Sequence, residues 1–167
     1  LTGYRFVDIS DSEWKYDQHI NLDDGMRLFR FHIQYEPLDG TREYVDIFAL
    51  DVNNLGGDPF ETIDLTLRKY KKYDFAYRRR KSDYFYQDIL MDGHPDFRTA
   101  DFRRIQDTGA LNVWVTDSAK VSLGFKRFEK LGESTIMRDI ARDEFEFDKP
   151  VKEELNEYRV ALDYQIN

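Results

Sequence analysis

Cysteine is absent from the 167-residue chain, which removes disulfides, zinc–thiolate sites, thiol nucleophiles and cysteine-held iron–sulfur clusters from consideration. Prolines number 4 and glycines 9, too few for a Pro- or Gly-rich linker, and no repeat of solenoid or propeller period is present. No window approaches the roughly 18 apolar residues that a membrane helix needs. The first residues also lack the basic start, apolar run and cleavage site of an export signal. By these criteria the chain reads as soluble, without a membrane span, and as a single β-rich domain over residues 1–167. The nucleophile elbow, the phosphate-binding glycine loop, the dinucleotide fingerprint and the zinc-helix motif are missing too.

What the chain does have is aromatic side chains and charge. Trp, Tyr and Phe make up 16% of the residues and charged residues 35%, at a mean hydropathy of −0.72. That many large apolar side chains excludes a disordered segment. Alternation with period two is the dominant pattern. Over 27–35, Phe29, Phe31, Ile33 and Tyr35 fall on one face and Leu28, Arg30, His32 and Gln34 on the other. Residues 42–52 alternate again after the turn-rich 37–40, with apolar residues on both faces, and predict a central strand in a hairpin with the first.

At the C-terminal end Tyr158, Val160, Leu162, Tyr164 and Ile166 alternate with Arg159, Ala161, Asp163 and Gln165, which predicts an integral strand. Further strands are predicted at 4–9, 62–67, 84–90, 110–116, 120–128 and 144–147, the last with Phe145 and Phe147 inward. Turn residues bound several of them, at 23–25, 53–57, 92–95 and 108–109. A short helix is expected over 150–157, where Pro150 is followed by early acids. Residues 58–69 offer a second helix start, but Ile63, Leu65 and Leu67 alternate and favour a strand. The expected fold class is all-β, an antiparallel β-sandwich or jelly-roll-like barrel with one or two short helices.

Charge is unevenly spread. Arg68, Lys69, Lys71, Lys72, Arg78, Arg79, Arg80 and Lys81 stand against Asp74 alone, so window 68–81 carries +7. The net charge is −8, which leaves −15 on the rest of the chain. Tyr70, Tyr73 and Tyr77 are interleaved with these cations, a mixture able to hold a polyanion, stack bases or grip an acidic glycan. The competing reading is a solvated hairpin paired with the acidic remainder or with another subunit. Trp14 and Trp114 are the candidate platform for stacking a sugar ring.

Candidate metal and catalytic groups are weaker. Residues 51–58 begin like a calcium loop but fail at Leu55 and Thr62, and Asn21, Asp23 and Asp24 read as an acidic hairpin tip. His32 lies in a strand, and His94 is flanked by Asp92 and Asp96 in a turn-rich stretch, which alone does not make a general base. No catalytic residue, metal or cofactor is assigned. The expected function is a non-enzymatic structural or assembly protein, a β-rich subunit of a larger surface, secretion or virus-particle assembly. Its expected partners are other protein subunits, copies of itself included, with a polyanion or glycan as a further ligand. A cell-surface, exported or particle setting is favoured over the cytoplasm. The alternative is a carbohydrate-binding module or surface lectin.

Overall fold

The period-two pattern becomes one antiparallel sheet of eight strands, each paired with its neighbours in sequence, in the order β1 to β8. In this computed structural model, residues 1–10, 13–37, 44–88, 98–140 and 143–165 are described. The strands are β1 (Thr2–Arg5), β2 (Gly25–Tyr35), β3 (Ile47–Leu55), β4 (Phe60–Lys69), β5 (Tyr73–Asp88), β6 (Arg98–Thr116), β7 (Ala119–Ile140) and β8 (Asp143–Tyr164). One short helix, α1 (Glu13–His19), lies between β1 and β2.

The all-β, antiparallel expectation holds, but among the described residues no second sheet packs on the first: the eight strands form a single unclosed layer. Alternation specifies a strand and its two faces, not what covers the apolar one. A sandwich requires in addition that the chain cover that face itself. Segment 150–157 is not helical either; it lies within β8, which is 22 residues long. Its Pro150 is tolerated because β8 is an edge strand. Residues 108–109 are not a turn but the middle of β6. Segments 84–90, 110–116, 120–128 and 144–147 prove to be parts of longer strands, except for residues 89 and 90, which lie outside the described residues. The 92–95 turn and His94 lie there too.

Two tight turns close one end of the sheet, at 70–72 and 117–118. In the first, Lys71 adopts φ 55° and Lys72 N–H bonds Lys69 O at 3.0 Å. At the other end the β3–β4 turn needs glycine. Gly56 has φ 113°, and a Cβ there would lie 2.5 Å from Met26 O. The buried Arg27 guanidinium knits this corner together. It donates to Asp23 O and Asp24 O and lies 3.9 Å from the buried Asp58 carboxylate, which also pairs with Arg5.

Burial is scant. Val52 is a buried apolar side chain of the sheet, and Phe145 and Phe147, expected inward, are exposed. The accessible surface is 12506 Å². A compact 20 kDa globule exposes about 8,700 Å² by the usual size scaling. The excess is the uncovered sheet itself.

Candidate functional site

Residues directly paired across an antiparallel ladder share a face, so the register assembles two surfaces from eight short sequence patterns. One is an apolar band. Tyr35, Phe48, Leu67, Phe75, Leu111, Leu123 and Val160 form a continuous row across seven strands. The next row is Ile33, Leu50, Leu65, Tyr77, Gly109, Phe125 and Tyr158. Gly109 leaves no gap in it, because the Phe125 ring lies over the glycine so closely that a Cβ would stand 2.1 Å from it.

The band crosses the ladder obliquely. The third row begins apolar, with Phe31, Val52 and Ile63 on β2 to β4, and turns polar with Arg79, Asp107, Arg127 and Asn156 on β5 to β8. On the opposite border the trend reverses: Lys69 on β4 is followed by Tyr73, Val113, Val121 and Leu162. A level band drawn on tilted strands produces this drift. The band is three or four alternate residues tall on each strand, about 14–20 Å of backbone at the usual rise per residue.

Tyrosines mark both borders, with their hydroxyls pointing away from the middle. Tyr73 O–H donates to Tyr44 O at 2.6 Å, on the tight-turn side. Tyr77 O–H donates to the buried Asp107 carboxylate at 2.8 Å, in the charged row on the other side.

The second surface is polar and carries small side chains opposite the band. Behind the first row stand Gln34, Ala49, Thr66, Ala76, Ala110, Gly124 and Arg159. Beside them lateral bonds stitch neighbouring strands: His32 Nδ1 to Asp51 Oδ1 at 2.6 Å, Arg78 to Asp64, Ser122 Oγ to Asn112 Oδ1 at 2.7 Å, and Lys120 to Asp163 at 2.9 Å. Asp51 and Asp64 face each other across β3 and β4, a like-charge pair offset by His32 on one side and Arg78 on the other. Beyond the band β5 to β8 run on for many residues with charges on both faces, as in the pairs Arg103–Asp83 and Lys130–Glu153.

The predicted site residues scatter. The pleat divides the basic segment: Lys69, Tyr73, Tyr77, Arg79 and Lys81 belong to the apolar face, Arg68, Arg78 and Arg80 to the polar face, and Lys71 and Lys72 to the turn. Most of these cations have acidic partners within the sheet: Arg68 with Asp74, Lys69 with Asp46, Arg78 with Asp64, Arg79 with Asp107, and Lys81 with Glu61 and Asp83. Trp114, half-buried, sits at the tight-turn end, where its backbone N–H donates to Lys72 O at 2.9 Å. Trp14 belongs to α1, and its side chain lies outside the described residues. Asn21 and Asp23, just past that helix, lie beside Asp83 and Phe85 further along β5, so the two tryptophans stand towards different ends of the sheet. Among the described residues no three acidic or histidine side chains gather to hold a metal ion. Asp58, of the calcium-like loop, is held by arginines instead.

No single strand displays the band. Its signal lies in the shared phase: the apolar sides of 29–35, 48–52, 63–67, 73–77 and 158–164 all fall on one face once hairpins are paired in order. Comparison with protein families, with curated proteins and with solved structures returns no match.

Proposed function

We propose that the sheet is part of the wall of a β-barrel that crosses a membrane, with the apolar band against lipid hydrocarbon and the opposite face towards water. The single observation that carries this reading is the continuous band on one face of seven consecutive antiparallel strands, backed by a polar, small-residue face. Three features support it. The tyrosine hydroxyls at the borders point outward from the band, as they do where aromatic rings sit at a membrane–water interface. The band crosses the strands obliquely, as tilted strands require. Tight turns lie at one border and long charged extensions beyond the other, the usual asymmetry of such walls.

In this reading Lys71 and Lys72 sit at the height of lipid headgroups, and the chain is a structural, non-enzymatic element whose assembly proceeds by strand pairing. That no helix among the described residues is long and apolar enough to cross a membrane bears on helices alone. A soluble subunit would need a second apolar layer to bury the band.

The test is folding from urea in the presence of phosphatidylcholine vesicles. The chain is expected to gain β circular dichroism, float with the vesicles and stay with them through an alkaline carbonate wash. Release of a folded chain into the wash would overturn the reading.

A further inference from the structure

We infer that the outer edge of β8 receives a further antiparallel strand of complementary pattern, and that strands beyond these eight complete the wall. This rests on the membrane reading above. Along β8, Tyr158, Val160, Leu162 and Tyr164 are 79, 78, 70 and 66% exposed, against 42 and 37% for Leu123 and Phe125 beside them on β7. The difference is a missing lateral neighbour. Every second residue of β8 also directs its N–H and C=O to that open side, where hydrocarbon offers them no partner.

The sheet cannot meet this need by closing on itself. Only β1 at the far edge is antiparallel to β8, and it has 4 residues, paired with β2 over Gly25–Leu28. Above that, Phe31, Ile33 and Tyr35 carry the band on β2, whose outer edge no described strand covers. In a meander β2 and β8 run in the same direction, so two parallel edges flank the band. An antiparallel wall joins them only through an odd number of further strands. Seven band strands plus an odd number give an even total, the rule for most such barrels.

The edge also states the chemistry of its occupant. Residues 158–164 read Tyr, Arg, Val, Ala, Leu, Asp, Tyr, close to a palindrome in polarity with its two charges of opposite sign about Ala161. An antiparallel strand fits when it sets apolar residues beside Val160 and Leu162, an acid beside Arg159 and a base beside Asp163. A second copy of β8 carries that pattern, but it would run inverted and send its own charged extension out of the opposite side of the membrane. The occupant is therefore a strand that continues the wall in the same orientation.

The near-palindrome supplies the probe, a fluorescent synthetic peptide of residues 156–165, added to the full chain in phosphatidylcholine vesicles. Saturable binding by anisotropy is expected. N-methylation of one alternate set of peptide residues abolishes it and methylation of the other set spares it. Arg159→Asp in the chain weakens it about three- to tenfold, and a peptide carrying Asp163→Arg, with its own Arg159 kept, restores it. No binding, or binding indifferent to which set is methylated, overturns the inference. Flotation of the same sample without peptide reads the membrane proposal separately: a chain that floats but ignores the peptide loses only the edge. Crosslinking of two chains through Ala161→Cys, at the centre of the palindrome, would overturn the named occupant by giving the edge to a second copy.

Discussion

Leu65 and Thr66 are adjacent in β4 and lie on opposite faces of the sheet, so the same substitution at the two positions separates the two surfaces. Leu65 is central in the band on its strand, between Ile63 and Leu67 along the chain and between Leu50 and Tyr77 across it. Thr66 stands between Ala49 and Ala76, where the polar face leaves room for a long side chain. An arginine on the lipid face at the bilayer midplane costs about 2–4 kcal/mol. At 1.36 kcal/mol per decade, Leu65→Arg lowers the folding equilibrium in vesicles about 30- to 900-fold. Thr66→Arg, solvated on the other face, stays within about 0.5 kcal/mol. Urea titration of both variants in vesicles, followed by intrinsic tryptophan emission, measures the difference. Equal losses, or a larger loss for Thr66→Arg, would refute the assignment of faces.

Other substitutions test the packing beneath the account. Gly109→Ala drives a Cβ into the Phe125 ring and is expected to destabilise by about 1–3 kcal/mol, with most of the loss removed in a Phe125→Ala background; additive losses in the double-mutant cycle would contradict the contact. Arg27→Ala takes the guanidinium from the Asp23 and Asp24 carbonyls while Arg5 keeps Asp58 paired, and is expected to cost about 1.5–3 kcal/mol in a denaturant titration. Reversing Arg78, Arg79 and Arg80 to Glu breaks the pairs with Asp64 and Asp107, so the triple variant is expected to lose stability as a monomer; unchanged unfolding would show that those pairs contribute nothing.

Strand content was legible because alternation is local: residues 27–35 and 158–164 announce their two faces without reference to anything else. Arrangement was not. Whether Phe31 meets Val52 or a residue of a second sheet depends on pairing, which no single strand encodes, and the uncovered face was supplied with an imagined layer. Pro150 followed by acids imitates a helix start, yet the ladder with β7 from Ala119 to Ile140 overrides it. The basic segment misled for a related reason. Eight cations adjacent in sequence suggest one patch, but the pleat sends Arg78 and Arg79 to opposite faces, and their acidic partners come from β4 and β6. The band itself is a property of seven strands in register, so it emerges only when the pairings are known.

The central claim is that one face of this sheet meets lipid. The absence of cysteine makes the decisive measurement direct, since a single introduced cysteine carries the only spin label. Nitroxides placed one at a time from Thr62 to Leu67, with the chain in vesicles, report collisions with oxygen, which concentrates in hydrocarbon, and with a water-soluble nickel chelate. The account predicts strict alternation, with Ile63, Leu65 and Leu67 open to oxygen and Thr62, Asp64 and Thr66 open to nickel. Equal access to nickel at all six positions would contradict it.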